Sequence, residues 1–240
     1  MRRLVFLLTA MALALVLASG VALAVNKIGT NGPDTLKGTN GADNLLGKGG
    51  NDALFGLGGS DNMLGGEGKD WVLGGNEQRP LGGDKNLVGG PGNDGVQAGR
   101  GSDSVLGGQG NDFVTGDNGS DTLVGEQGMD FVDGGRGSDR LVGGDGPDLL
   151  VDGPFHETSK DTLSGGDGND AFFADNGPAT MDIVSCGSGF DRVAADTEDV
   201  VTPDCEQVRR GPNAGEKLDE YLIESGFYDR FFGGLAPFPG

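Results

Sequence analysis

The chain has 240 residues, with 37 acidic against 17 basic side chains, a formal net charge of −20 and 50 glycines. So acidic a surface repels nucleic acid and anionic membrane, which excludes both as partners. Glycine at roughly three times its usual share argues against a conventional close-packed core.

In chain order, residues 1–24 come first and read as a secretory signal peptide. Arg2 and Arg3 precede an apolar run from Leu4 to Leu17, and Ala22-Leu23-Ala24 supplies a small-residue cleavage site. An uncleaved membrane anchor is the competing reading. Cleavage removes two arginines and no acids, takes the charge from −20 to −22, and leaves no membrane span in the remaining sequence.

Residues 25–175 repeat one nine-residue phrase, Gly-Gly-x-Gly-x-Asp-x-U-x, where U is a large aliphatic residue or Phe. The aspartates stand nine apart at Asp34, Asp43, Asp52, Asp61 and Asp70, and again at Asp94, Asp103, Asp112, Asp121, Asp130, Asp139 and Asp148, with Asp161 and Asp170 as a last pair. A short fixed period marks stacked repeats, so it outranks any helix or strand assignment. The glycines permit a tight turn with positive φ that aims carbonyl oxygens inward. Calcium, a hard cation taking six to eight oxygens, can gather those carbonyls together with the Asp carboxylate. The x-U-x that follows is a short strand with one inward side chain. Those inward residues are Leu36, Leu45, Leu54, Met63, Val72, Val96, Val105, Val114, Leu123, Val132, Leu141, Leu150, Leu163 and Phe172.

These motifs resemble the repeats-in-toxin (RTX, hemolysin-type) family of secreted bacterial proteins over about residues 29–175. The resemblance implies an all-β, parallel β-roll solenoid with two repeats per coil, so that repeats eighteen residues apart stack and share calcium. It places Asp34, Asp52 and Asp70 on one side with Asp43 and Asp61 on the other. In the second run Asp94, Asp112, Asp130 and Asp148 face Asp103, Asp121 and Asp139. If repeats i and i+2 share each ion, about eight Ca2+ bind, and folding depends on them.

The pattern breaks twice. Counting back by nine from Asp94 puts Lys85 where an aspartate belongs, with Leu87 still inward. This degenerate repeat, residues 80–88, is expected to interrupt the ion ladder and divide the roll. A second insertion, residues 153–158, carries His156, the only histidine, which reads as an exposed loop residue.

Residues 176–211 contain a worn repeat and both cysteines, Cys186 and Cys205, which should pair in an exported chain; two buried free thiols are the alternative. The segment resembles the cysteine-bearing ending that closes such rolls. Asp182, Asp191, Asp196 and Asp199 read as one further ion site or as solvated acids. Residues 212–240 predict a helix from about Ala214 to Ser225 and an aromatic tail, Phe227, Tyr228, Phe231 and Phe232, which either packs on the roll or docks a partner.

No catalytic domain fits around the repeats. The chain has no His-Glu-x-x-His, Gly-x-Ser-x-Gly or Ser-His arrangement, and a carboxylate holding calcium is no proton donor. Two readings remain for this secreted, extracellular protein. In one, the calcium-rigidified rod is itself the function. In the other, it is a scaffold presenting Trp71, Phe113, Phe131 and the tail aromatics to a glycan or protein. An ice-binding roll fits less well, because the residue after each Asp varies too much to form a flat lattice.

Overall fold

The computed structural model describes residues 24–76, 83–84, 86–153, 159–174 and 181–211. Its strands run from β1 (Asn26–Ile28) to β20 (Gln207–Arg210), numbered in chain order. Every odd strand joins one ten-stranded sheet and every even strand the other. All pairings are parallel, and the register Leu36↔Leu54 and Leu45↔Met63 spaces neighbours eighteen residues apart, two repeats per coil. The chain is therefore a parallel β-roll, as the resemblance implies. Among the described residues there is no helix; the expected C-terminal helix and tail, and the signal peptide, lie outside them.

Most strands are longer than the three residues of x-U-x. β3 (Asn44–Gly49) and β9 (Ser104–Gln109) continue through the first glycines of the next phrase, because parallel pairing to the adjacent coil carries the extended backbone past U. The turn glycines are then compressed between coils. Gly110 has φ 129°, and a Cβ there would lie 1.5 Å from the Gly92 carbonyl oxygen, so no other residue fits. Four non-glycines, Lys48, Leu57, Asp117 and Glu126, also hold positive φ in such turns.

All fourteen inward residues read from the sequence are buried, and Leu87 joins them in a single file of side chains between the sheets. Each coil adds only two such residues, so the core is a narrow stack with no second layer to stabilise it. A smaller cluster, Leu149, Ala171 and Ala194 with Phe131, Val151 and Phe173, lies apart from that stack.

The irregular spacings are absorbed without loss of register. β5 (Asn62–Glu67) pairs with β7 (Asn86–Pro91) as Met63↔Leu87, and β13 (Arg140–Asp145) with β15 (Thr162–Asp167) as Leu141↔Leu163. At the C-terminal end β17 (Ile183–Ser188) is tied by the Cys186–Cys205 disulfide, Cα–Cα 5.3 Å, to the segment between β19 (Val200–Val201) and β20. Val201 and Cys205 pack against the end of the core, while β20 is exposed throughout.

Candidate metal centre

The repeat turns bring the aspartates into two columns, one along each edge of the roll where turn meets strand. In each column the backbone amide of one Asp donates to Oδ1 of the Asp one coil further on. The first column runs Asp34, Asp52, Asp70, Asp94, Asp112, Asp130, Asp148, Asp170 and Asp191, at 2.7–2.9 Å per step. The second runs Asp43, Asp61, Asp84, Asp103, Asp121, Asp139, Asp161, Asp182 and Asp199. All fourteen aspartates singled out by the period take part, the twelve of the two runs on the sides the resemblance implies.

The expected interruption at Lys85 does not occur. Asp84 fills the place: Oδ1 accepts from the Asp61 amide at 2.7 Å, and its own amide donates to Asp103. Asp84 stands three residues before the inward Leu87, where Asp61 stands two before Met63. With this longer spacing the aspartate keeps its place and the strand keeps its register; Lys85 itself lies outside the described residues. Counting by nine could not find this, although Gly82-Gly83-Asp84 carried the signal. The tail acids were likewise underread. Asp182, Asp191 and Asp199 are buried and extend the columns, and Glu206 closes one by accepting from the Asp191 amide at 2.8 Å.

The second carboxylate oxygen is the chemically informative one. Oδ2 of Asp52, Asp70, Asp94, Asp112, Asp130 and Asp148, and of Asp61, Asp103 and Asp121, is buried and accepts no hydrogen bond. A buried anionic oxygen in that state is costly unless a cation meets it. Its surroundings suit one. A Cβ built on Gly47 would lie 2.3 Å from both Asp52 Oδ2 and the Gly65 carbonyl oxygen, so these two oxygens are at most 4.6 Å apart. Two ligands of one calcium, each about 2.4 Å from it, are separated by no more than about 4.8 Å. The same cradle recurs at Gly56, Gly107, Gly116, Gly125 and Gly143. Glycine at these positions leaves it open.

The ends differ. Oδ2 of Asp34 is already held by the Thr30 amide and hydroxyl, and Oδ2 of Asp43 by those of Thr39. The two hydrogen bonds from Thr30 draw the half-exposed Asp34 carboxyl below its ordinary range.

Further along, burial dominates. It pushes Asp61 and Asp70 up to about 6, Asp112, Asp121 and Asp170 up to about 7, Asp94 and Asp130 up to about 8, and Asp148 up to about 9. The amide hydrogen bond from the preceding coil opposes the rise, and neighbouring aspartates add to it. The folded protein thus binds a proton at these oxygens or needs a metal charge there.

Among the described residues no helix is long and apolar enough to cross a membrane. No curated protein matches the chain. A family model of the RTX calcium-binding nonapeptide repeat matches residues 28–63, 46–77, 82–114, 115–150 and 158–180, together more than half of the sequence. With the roll, the two carboxylate columns and the glycine cradles, this match establishes that the chain belongs to the RTX calcium-binding nonapeptide repeat family.

Proposed function

We propose that the protein is a secreted, non-enzymatic scaffold whose roll folds when calcium fills the cradles between coils, with the column aspartates and turn carbonyls as ligands. The carrying observation is the row of buried carboxylate oxygens without hydrogen bonds, eight of which (those of Asp52, Asp61, Asp70, Asp94, Asp112, Asp121, Asp130 and Asp148) share a glycine cradle with a glycine carbonyl of the next coil. Nine aspartates in a column leave eight gaps between coils. Two continuous columns therefore offer more places than the roughly eight ions expected from interrupted ladders. The disulfide and the amino-terminal signal support export to an oxidising, calcium-rich space. Equilibrium dialysis of the calcium-stripped protein tests this reading: it predicts well over eight bound ions at millimolar calcium, and none bound would refute it.

A second reading rests on one groove of about 570 Å3 on the outer face of the even-strand sheet, lined by Trp71, Gln97, Phe113, Asp117, Asp133 and Arg136. The Trp71 indole lies against Gly95, where a Cβ would come within 2.1 Å of the ring, and Phe113 stacks on Phe131 with centroids 4.8 Å apart. Gln97 Nε2 donates to Asp117 Oδ2 at 2.7 Å. Aromatic faces beside carboxylate, amide and guanidinium groups suit a glycan, giving a calcium-dependent adhesin. Retention on cell-wall glycans in calcium but not in chelator, and its loss in Trp71→Ala, is the expected outcome; equal retention by both proteins would refute it.

A further inference from the structure

In the second column, each coil places a small residue just before the turn: Gly38, Gly56, Gly74, Ala98, Gly116 and Gly134 precede Asp152, then Ala174 and Ala195 follow. Asp152 is the exception. Its backbone keeps the column geometry, with its amide donating to the Phe173 carbonyl at 3.1 Å and its carbonyl lying over Gly134. Its side chain therefore enters the cradle that glycine elsewhere leaves open. Here nine residues separate the column position from the next aspartate, Asp161, against five between Gly134 and Asp139, so the inserted residues of this coil coincide with the added carboxylate.

One carboxylate oxygen from each of Asp152, Asp161 and Asp182 lies within 4.8 Å of the others, and all three residues are buried. Asp152 is only 2 % exposed, and its Oδ2 accepts no hydrogen bond. Burial, the like charges of Asp182, Asp161 and Asp199, and a side-chain hydrogen bond shared with Asp182 all push its carboxyl well above the ordinary range. Three such oxygens at this separation can share one ion of calcium size, whereas repulsion among them grows with burial if no cation is present.

We propose that Asp152, Asp161 and Asp182 form a distinct three-carboxylate calcium site, tighter than the repeat sites and built by the departure of Asp152 from the glycine pattern. The inference rests on the calcium reading above. An ordinary gap is flanked by two column carboxylates; this one adds a third, and affinity rises with the charge of the ligand set. The expected gain is roughly ten- to a hundredfold over the repeat sites. Such a site fills first on calcium addition and fixes the C-terminal coils before the others order.

The test is calorimetric titration of the calcium-stripped full chain with calcium, for the parent, Asp152→Gly and Asp152→Asn. Asp152→Gly restores the residue used at Gly134 and Gly116, so folding in saturating calcium, checked by circular dichroism, should survive. The parent should show one high-affinity ion ahead of a weaker class. Asp152→Gly should lose that ion and keep the weaker class, and Asp152→Asn should weaken it about tenfold. Superimposable isotherms for all three proteins would overturn the proposal while leaving the repeat sites standing. No calcium binding by the parent would overturn both.

Discussion

Between the ends of each column, the aspartate divides its work between two oxygens. Oδ1 accepts the amide of the preceding coil and sets the spacing, whereas Oδ2 is left buried beside a carbonyl. The first task is compatible with an uncharged carboxyl; the second requires a proton or a cation. This gives the metal-free protein a pH dependence whose sign is fixed. The folded values, about 6 to 9 for residues such as Asp70 and Asp148, lie above the unfolded value near 4. Stability is then fully present below about pH 4 and is lost as pH rises through the folded values. Calcium-stripped protein should retain strand signal at pH 4.5 and lose it by pH 8, measured by circular dichroism. A flat response across that range would show that the carboxylates are not the obstacle. In the sequence the fourteen aspartates of the repeats were legible from their spacing, whereas Asp84, Asp182, Asp191 and Asp199 were not, because they fall off the nine-residue count. The division of labour between Oδ1 and Oδ2 was not legible, since it depends on contacts across coils.

At the scale of the element, the coil tolerates insertions only where the column and the inward side chain are both preserved. The segment before β7 illustrates this: Leu87 stays in the core and Asp84 in the column, with Lys85 added between them. Asp84→Ala should therefore break the second column midway and lower the number of calcium ions bound by about two, whereas Lys85→Ala should leave it unchanged. Equilibrium dialysis of both variants decides. Reading the sequence by strict period favoured Lys85, because periodicity counts residues while the fold counts register. The same reasoning explains Asp182, Asp191 and Asp199: their spacings of 21, 21 and 17 residues from the preceding column members conceal membership that the pairings of β15 with β17, of β16 (Ala171–Ala174) with β18 (Arg192–Ala195), and of β17 with β19 preserve. The last coil is held by few contacts, and Cys186–Cys205 closes a loop with a sequence separation of 19. Chain entropy makes that link worth about 3 kcal/mol. A Cys186→Ala/Cys205→Ala protein in calcium should show faster amide exchange in β19 and β20, with β9 and β11 (Thr122–Gln127) unchanged. Uniform loss of protection would mean that the roll unfolds as one unit.

For the whole molecule, glycine and aspartate spacing made the stacking of repeats readable and the family resemblance added the parallel roll, because every coil solves the same problem in the same way. A single file of inward side chains supplies little hydrophobic stabilisation, and the net charge of −20 opposes compaction. On the proposed calcium reading, divalent cations between the coils would reverse both deficits, by neutralising the columns and by joining each coil to the next. Binding energy is then folding energy. Purpose beyond that follows from surface chemistry, such as the groove at Trp71 and Phe113, which no repeat position dictates. The most direct measurement is the circular dichroism of residues 25–240 at pH 7.5, titrated with calcium from a stripped state. A cooperative change from disorder to β-structure, centred at roughly 10⁻⁴ to 10⁻³ M calcium, is predicted. Identical β-rich spectra with and without calcium would contradict it.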